Sequence, residues 1–517
     1  MKPMSLEVEI LTSINEMNPD GLILVMPAAA KEPARLESVL GLLPAWLKED
    51  LAPIARKRKL EPKSGSSLAI DGSDGVRKTL LFLDPKLQTF EILVCLRKVM
   101  DPAVFDPKIR RLVVDLSHCG AQGVAIADAV VSAAAAKLYK FPKYKAKAQA
   151  NAKSDKDHKR PSEDIDDLKI GLVVDRRQVK AAEDATAKAL QVTTSGTNLV
   201  RWLAKRAGND LTCKTYVDEL KSMARERSWT FKHHGHDALT KMKAGAFLAV
   251  VKGSPHKDYG IIELSYTPRA KTTKHLALVG KGMVFDTGGH SLKPSAYMLG
   301  MHGDMAGSAV ALAVLNIASL EKWPVKVTAY LAIADNMISP LAYKPNDVVA
   351  SMKGTTIEII DTDAEGRMVL ADTLHLASRS KPTLIMDFAT LTGACIRAIG
   401  TTYAGVFTNR SELHQDLIKA GVQSGERVWP FPMDKDFAEC LESTVADLKQ
   451  CREKGGVDHI EAAQFLMHFA GDDTPWVHVD LSAIEHTGGL GHVPTDETGF
   501  GARFATTFVR NYFDLKS

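Results

Sequence analysis

Two acidic blocks, each broken by glycine and each entered from an apolar run, constrain this chain more than any other feature. The first reads VGKGMVFDTGGHSLK over 279–293, with Asp304 close behind in GDMAGSA. The second reads DTDAEGRM over 361–368. Together they supply Asp286, Asp304, Asp363 and Glu365, interspersed with Lys281, Lys293 and Arg367. Strand-like runs lead into both, HLALVG (275–280) and TTIEII (355–360). Sites in α/β sheets form at strand carboxyl ends, so a fold that accommodates both blocks brings two such ends together. Gathered carboxylates repel unless positive charge sits between them, and paired divalent cations suit hydrolysis of a resistant bond.

Each piece has a plainer reading when taken singly. Asp-Thr-Gly-Gly is a turn in which glycine supplies positive φ. Asp304 ahead of AGSAVALAVLNIASL is a helix cap, and Asp363-Ala-Glu-Gly-Arg is a solvated turn with its own ion pair. Two independent polar clusters at strand ends outweigh those readings jointly.

The residues then resemble a known family. VGKG-x-x-FD-x-GG, the lysine seven positions beyond the aspartate, DM-x-G and TDAEGR are similar to the leucyl aminopeptidases, two-metal exopeptidases of the M17 type. DFATLTGAC (387–395) and the late HVDLSAIEHTGG and ETGFGAR stretches extend the likeness from about Thr193 to the end. The resemblance implies that Lys281, Asp286, Asp304 and Glu365 hold the tighter metal, and that Asp286, Asp363 and Glu365 hold the more exchangeable one. It implies Lys293 and Arg367 as catalytic groups outside the ligand set. It places bicarbonate on Arg367 with the amides of Ala364, Gly366 and Leu391, and the pocket for the first side chain at Met301, Thr390, Thr392 and Ala394. The implied reaction releases an N-terminal residue, with leucine-type preference, through a metal-bridged water and a bicarbonate-assisted proton shuttle. The implied cations are Zn2+, with Mn2+, Mg2+ or Co2+ at the exchangeable site, and the implied assembly is a homohexamer. Two positions depart from the family pattern: Asp361 stands where Asn is usual, and Thr287 where Ser is common.

The rest of the chain fits an α/β enzyme. Apolar runs at 21–27, 79–84, 111–116 and 169–175 alternate with helix-like segments at 123–138 and 177–190. They predict a small N-terminal α/β domain over 1–179, a connecting helix over 180–192 and a catalytic domain over 193–517. Further runs at FLAVVK, IIELSY, HLALVG, VTAYLAI, TTIEII, LIMDF and WVHVDL predict a large mixed sheet in the catalytic domain, flanked by helices that follow Asp304 and Glu365.

Six scattered cysteines without a CxxC predict free thiols in a reducing compartment. The acid-bearing start MKPMSLEVEILTSINEM lacks the features of a secretory or transit signal, which points to the cytoplasm. The longest apolar stretch, 306–320, is too short to cross a bilayer. The net charge of +4 is local in origin, because nine basic residues against two acids lie between Lys137 and Arg160. That segment, about 141–165, predicts a basic flexible loop. Without interleaved aromatics in its basic tail it favours solvation over nucleic-acid contact. HExxH and GxSxG are absent, and GKG at 280–282 lacks phosphate-loop spacing. The competing reading is a protein of this fold that acts as a DNA-binding or regulatory scaffold; the full set of charged site residues argues against it.

Overall fold

Apolar β-branched runs assemble two large sheets in this computed structural model, which describes residues 5–28, 36–105, 109–145, 167–471 and 473–515. Two compact units result: Met1–Thr194 with Gly491–Pro494, and Ser195–Leu490 with Thr495–Ser517. The protein is thus a mixed α/β chain, with a smaller N-terminal unit and a larger unit built on a mixed sheet.

In the first unit six strands lie in the order Ser5–Leu11, Asp167–Val173, Arg111–Asp115, Gly21–Pro27, Arg77–Leu83, Ser67–Asp71. All neighbours are parallel except the last pair. Parallel strands need apolar cover on both faces. One face packs Val25, Leu81 and Ile170 with Ile92, Val130, Ala182 and Ala189. The other packs Leu24, Leu80 and Phe82 with Leu40, Leu47 and Leu51. The helix Val179–Val192, read from sequence as a connector, thereby contributes Ala182 and Ala189 to this unit's core. The edge strand Ser5–Leu11 was not anticipated, although Leu6, Val8 and Ile10 alternate with Glu7 and Glu9. Most of the basic segment at 141–165 lies outside the described residues.

The second unit carries an eight-stranded sheet ordered Val428–Pro430, Ala404–Thr408, Trp476–Asp480, Leu384–Ala389, His275–Asp286, Lys326–Asn336, Gly260–Tyr266, Thr230–His234. Its four central strands are mutually parallel, and antiparallel neighbours flank them. The helices Ala306–Leu320 and Glu365–Ser378 pack on the central strands. Burial of thirteen residues of Ala306–Leu320 accounts for its hydropathy.

Three sequence readings need correction. FLAVVK is not a strand: Gly245–Val250 is helical and Val251–Gly253 a 3-10 turn. Its buried residues Ala246, Phe247, Ala249 and Val250 follow helical spacing, which a short apolar run hides. TTIEII forms only the strand Thr356–Glu358, in a separate three-stranded sheet with Val348–Ala350 and Leu448–Lys449. HLALVG does not end at 280; the strand continues to Asp286.

Candidate metal centre

The extended strand positions the first block. Its register against Lys326–Asn336 slips so that Met283 faces Ala334 and Phe285 faces Asp335, leaving Val284 as an extra residue. In an unbroken strand Lys281 and Asp286 would point to opposite faces. One bulged residue reverses that parity and turns both side chains into one site. Gly288, at φ +84, then starts the descent of the chain, and a Cβ there would lie 2.5 Å from the Ser291 carbonyl oxygen. The turn returns Lys293 to the strand end, where its N–H donates to the Thr287 carbonyl at 3.0 Å.

The second block arrives on a helix N-terminus. Glu365 opens the helix Glu365–Ser378, a location that favours negative charge. Thr362 joins the blocks: its Oγ1 donates to the Gly288 carbonyl at 2.6 Å and accepts from Ser291 N at 2.8 Å. Asn336 and Tyr343 also hold it, donating to the Thr362 carbonyl at 3.0 Å each.

Oxygens of Asp286, Asp363 and Glu365 all lie within 4.8 Å of one another. Lys281 Nζ is 2.9 Å from Asp304 Oδ2 and 2.9 Å from Glu365 Oε1, and it donates to the Thr390 carbonyl at 3.1 Å. Lys293 Nζ is 2.9 Å from Asp286 Oδ2 and 2.6 Å from Asp363 Oδ1. Four carboxylates therefore surround two ammonium groups, an excess of negative charge in a site where Lys281, Asp286, Asp304 and Glu365 are buried. Burial, and then neighbouring carboxylates, push Asp304 and Glu365 above the usual acid range despite Lys281. Asp363 is raised to about 6, chiefly by burial, against the pull of Lys293. Burial opposes the charge on both lysines, yet the surrounding carboxylates outweigh it and raise them.

The donor set fits divalent cations. Glu365 Oε2 is buried without a hydrogen-bond partner, and an unpartnered buried carboxylate oxygen is expensive unless a cation takes it. Oxygen donors in excess negative charge are what hard divalent ions require.

The remaining expected residues fall in three places. Thr390 joins the cluster, with Oγ1 donating to Asp304 Oδ1 at 2.6 Å. Arg367 is buried but turned to other partners, donating to Asp458 Oδ1 at 2.7 Å and to the Gln450 carbonyl at 3.2 Å. The Ala364 N–H donates to the Asp361 carbonyl at 3.1 Å, and Gly366 lies in the first helical turn. Leu391 N and Thr392 Oγ1 donate to Asp480, at 3.1 and 2.7 Å. Met301 sits half-buried in the turn Met301–Gly303, and Ala394 is buried in the helix Gly393–Ile399. Sequence reasoning missed Asn336, Thr362, Gln450, Asp458 and Asp480. Asn336 and Asp480 end the apolar runs VTAYLAIADN and WVHVD, and a polar residue at a strand's carboxyl end was the available signal.

Buried acids and lysines gathered where the central strand His275–Asp286 ends and the helix Glu365–Ser378 begins define a metal-dependent hydrolase site. The comparisons agree: the cytosol aminopeptidase family, catalytic domain, matches residues 198–506, and the chain belongs to that family. It is 36% identical over 402 residues to the probable cytosol aminopeptidase of Rhodopseudomonas palustris (strain BisB18), covering 77% of this chain and 76% of that one. It is 35% identical over 364 residues to the probable cytosol aminopeptidase of Phytoplasma australiense, covering 69% and 72%. The bottromycin maturation enzyme BotP in complex with Mn superposes with a TM-score of 0.78 at 28% identity, over 95% of this chain and 99% of that one. The protein is an aminopeptidase, a hydrolase of the metallopeptidase class.

Proposed function

We propose that the chain removes the unblocked N-terminal residue of peptides at a two-cation centre, with leucine-type preference. The observation that carries this reading is the convergence of Asp286, Asp363 and Glu365 within 4.8 Å beside two buried lysines. Lys281, Asp286, Asp304 and Glu365 hold the tighter cation; Asp286, Asp363 and Glu365 hold the exchangeable one. When bound, divalent cations supply Lewis acidity, a water of lowered pKa and an anchor for a free α-amine. Zn2+ is the proposed ion, with Mn2+, Mg2+ or Co2+ at the exchangeable position.

The chain's own groups do the rest. Lys293 places its ammonium at the mouth of the carboxylate cluster and stabilises negative charge as it develops on the scissile carbonyl oxygen. Arg367 stays protonated throughout and holds an anion. Bicarbonate is the proposed anion, with the amides of Ala364, Gly366 and Leu391, and its role is proton transfer. The Nη atoms of Arg367 engage Asp458 and the Gln450 carbonyl, and its buried Nε, which has no hydrogen-bond partner, is the donor left for the anion. Activity that does not respond to added bicarbonate in degassed buffer would remove it from the scheme. The pocket rim of Met301, Thr390, Thr392 and Ala394 is apolar in effect, since Asp304 and Asp480 engage both threonine hydroxyls. That supports preference for an aliphatic first side chain.

The deciding assay is release of free amino acid from a panel of peptides, blocked and unblocked, with and without chelator. Leucyl peptides are cut and N-acetylated ones are not, and chelation abolishes turnover. Equal cleavage of both sets sinks the proposal. A homohexamer in the cytoplasm completes the reading by resemblance, tested by light scattering against the 56.2 kDa chain mass and by cell fractionation. A binding-only scaffold role is not favoured for a chain that keeps the whole charged cluster.

A further inference from the structure

We propose that Asp480 is a positioning residue for the metal centre: through the turn 390–392 it sets Thr390 against Asp304 and Lys281. This rests on the reading of Lys281 and Asp304 as ligands of the tighter cation. Asp480 ends the strand Trp476–Asp480, directly opposite Ala389 at the end of its parallel neighbour. The carboxylate therefore faces the residues that follow Ala389. Oδ1 accepts from Leu391 N at 3.1 Å and from Thr392 N at 3.4 Å, while Oδ2 accepts from Thr392 Oγ1 at 2.7 Å. One side chain thus gathers three donors from two consecutive residues and fixes the turn.

The far side of that turn meets the metal centre. Thr390 Oγ1 donates to Asp304 Oδ1 at 2.6 Å, and the Thr390 carbonyl accepts from Lys281 Nζ at 3.1 Å. Donation to one oxygen of Asp304 orients the other toward Lys281. An outer partner that orients a ligand in this way commonly governs affinity and activity by about ten- to a hundredfold. Asp480 is itself rigidly set. Asp387, in the neighbouring strand, accepts from Trp476 Nε1 at 2.6 Å and pairs with His478 Nδ1 at 2.6 Å, so the strand bearing Asp480 is clamped two residue pairs away. A carboxylate with no task would be an expensive occupant of this site, where it is 1% exposed.

The test uses the full chain, stripped and then titrated with Mn2+ by calorimetry, with kcat and KM on a leucyl peptide measured beside it. Asp480→Ala is expected to weaken Mn2+ binding by about ten- to a hundredfold and to lower kcat, with KM moving little. Asp480→Asn keeps acceptor geometry, since the Thr392 hydroxyl can rotate to accept, and restores most of both. In a Thr390→Val background Asp480→Ala costs clearly less than in the wild type, because the route to Asp304 is already cut. Equal losses in both backgrounds overturn the proposal. So does wild-type Mn2+ affinity in an Asp480→Ala protein that merely melts lower. Should Asp480→Ala fail to fold, Thr392→Val removes the hydroxyl contact with Asp480 together with the cap on Cys395 N; unchanged Mn2+ affinity there is equally fatal. A wild-type chain that binds no Mn2+ and cuts no peptide would instead refute the underlying metal reading.

Discussion

Asn336 Nδ2 donates to Asp286 Oδ1 at 2.9 Å, and the same amide donates to the Thr362 carbonyl at 3.0 Å. One side chain at the end of the strand Lys326–Asn336 therefore links the two acidic blocks. The bond leaves Asp286 Oδ2 for Lys293 and fixes the orientation of one of the two carboxylates common to both proposed ligand sets. Asn336→Leu removes the link while keeping the number and branching of the side-chain heavy atoms. Its expected effect is a ten- to hundredfold weaker apparent metal affinity, as is common for outer partners of a ligand. Activity followed against Mn2+ concentration checks this: saturation shifts to higher metal while the plateau largely recovers. An unshifted curve would leave Asn336 with a packing role only.

Lys293 and Asp286 are expected to separate in their effects. Lys293 touches Asp286 and Asp363 but is proposed to act on developing charge in the substrate. Lys293→Ala should lower kcat by about a hundred- to a thousandfold, the usual loss for one such donor, with metal content near normal. Asp286→Ala should lose metal. Metal analysis on both purified variants, with single-turnover kinetics on the first, distinguishes the roles. Full activity in Lys293→Ala, or loss of both ions, contradicts the assignment.

Much of this site was legible in the sequence because its ligands lie in two contiguous blocks with unusual glycine spacing. In the fold Lys281, Asp286, Lys293, Asp304, Asp363 and Glu365 come together. The bulge at Val284 was not legible, since an extra residue in a strand has no compositional mark, yet it brings Lys281 and Asp286 to one face. The second block's entry was misjudged for a related reason. TTIEII has strand propensity, but its partners lie at 348–350 and 448–449, outside the main sheet, and pairing partners are not local information. Asp480 and Asn336 act through hydrogen bonds to residues far away in sequence, so only the fold reveals their use.

Glu426 gives a pH dependence with a definite sign. Its buried carboxylate accepts from Gly501 N at 2.9 Å and Phe504 N at 2.8 Å. Burial, only partly offset by these bonds, raises its pKa to about 7, against about 4.3 for a free glutamate. The folded chain thus keeps a proton that the unfolded chain releases. The contribution is complete below the lower value and is lost as pH rises through the upper one. Relative to Glu426→Gln, which keeps an acceptor oxygen, the wild type should lose stability between about pH 5 and pH 8. Urea unfolding of both proteins at each pH measures it. Parallel behaviour of the two would show that Glu426 titrates normally.

Gly366 provides the sharpest test of the Lys281 geometry. It lies in the first turn of the helix Glu365–Ser378, where alanine would be favoured over glycine by about 1 kcal/mol on helix propensity alone. A Cβ there would stand 2.7 Å from both Cε and Nζ of Lys281. Lys281 has little room to yield, being 3% exposed and engaged by Asp304, Glu365 and the Thr390 carbonyl. Gly366→Ala is therefore expected to displace the lysine, lowering Mn2+ content and kcat by at least tenfold, the lower end of the usual loss when a ligand is disturbed. Adding Lys281→Ala removes the clash. The double variant should melt higher than Gly366→Ala alone while remaining inactive, which separates relief of strain from recovery of function. Thermal melts and metal analysis of the two proteins decide the matter. A Gly366→Ala enzyme with normal metal content and normal kcat would mean that Lys281 can move freely, and that its contacts with Asp304 and Glu365 do not fix the site.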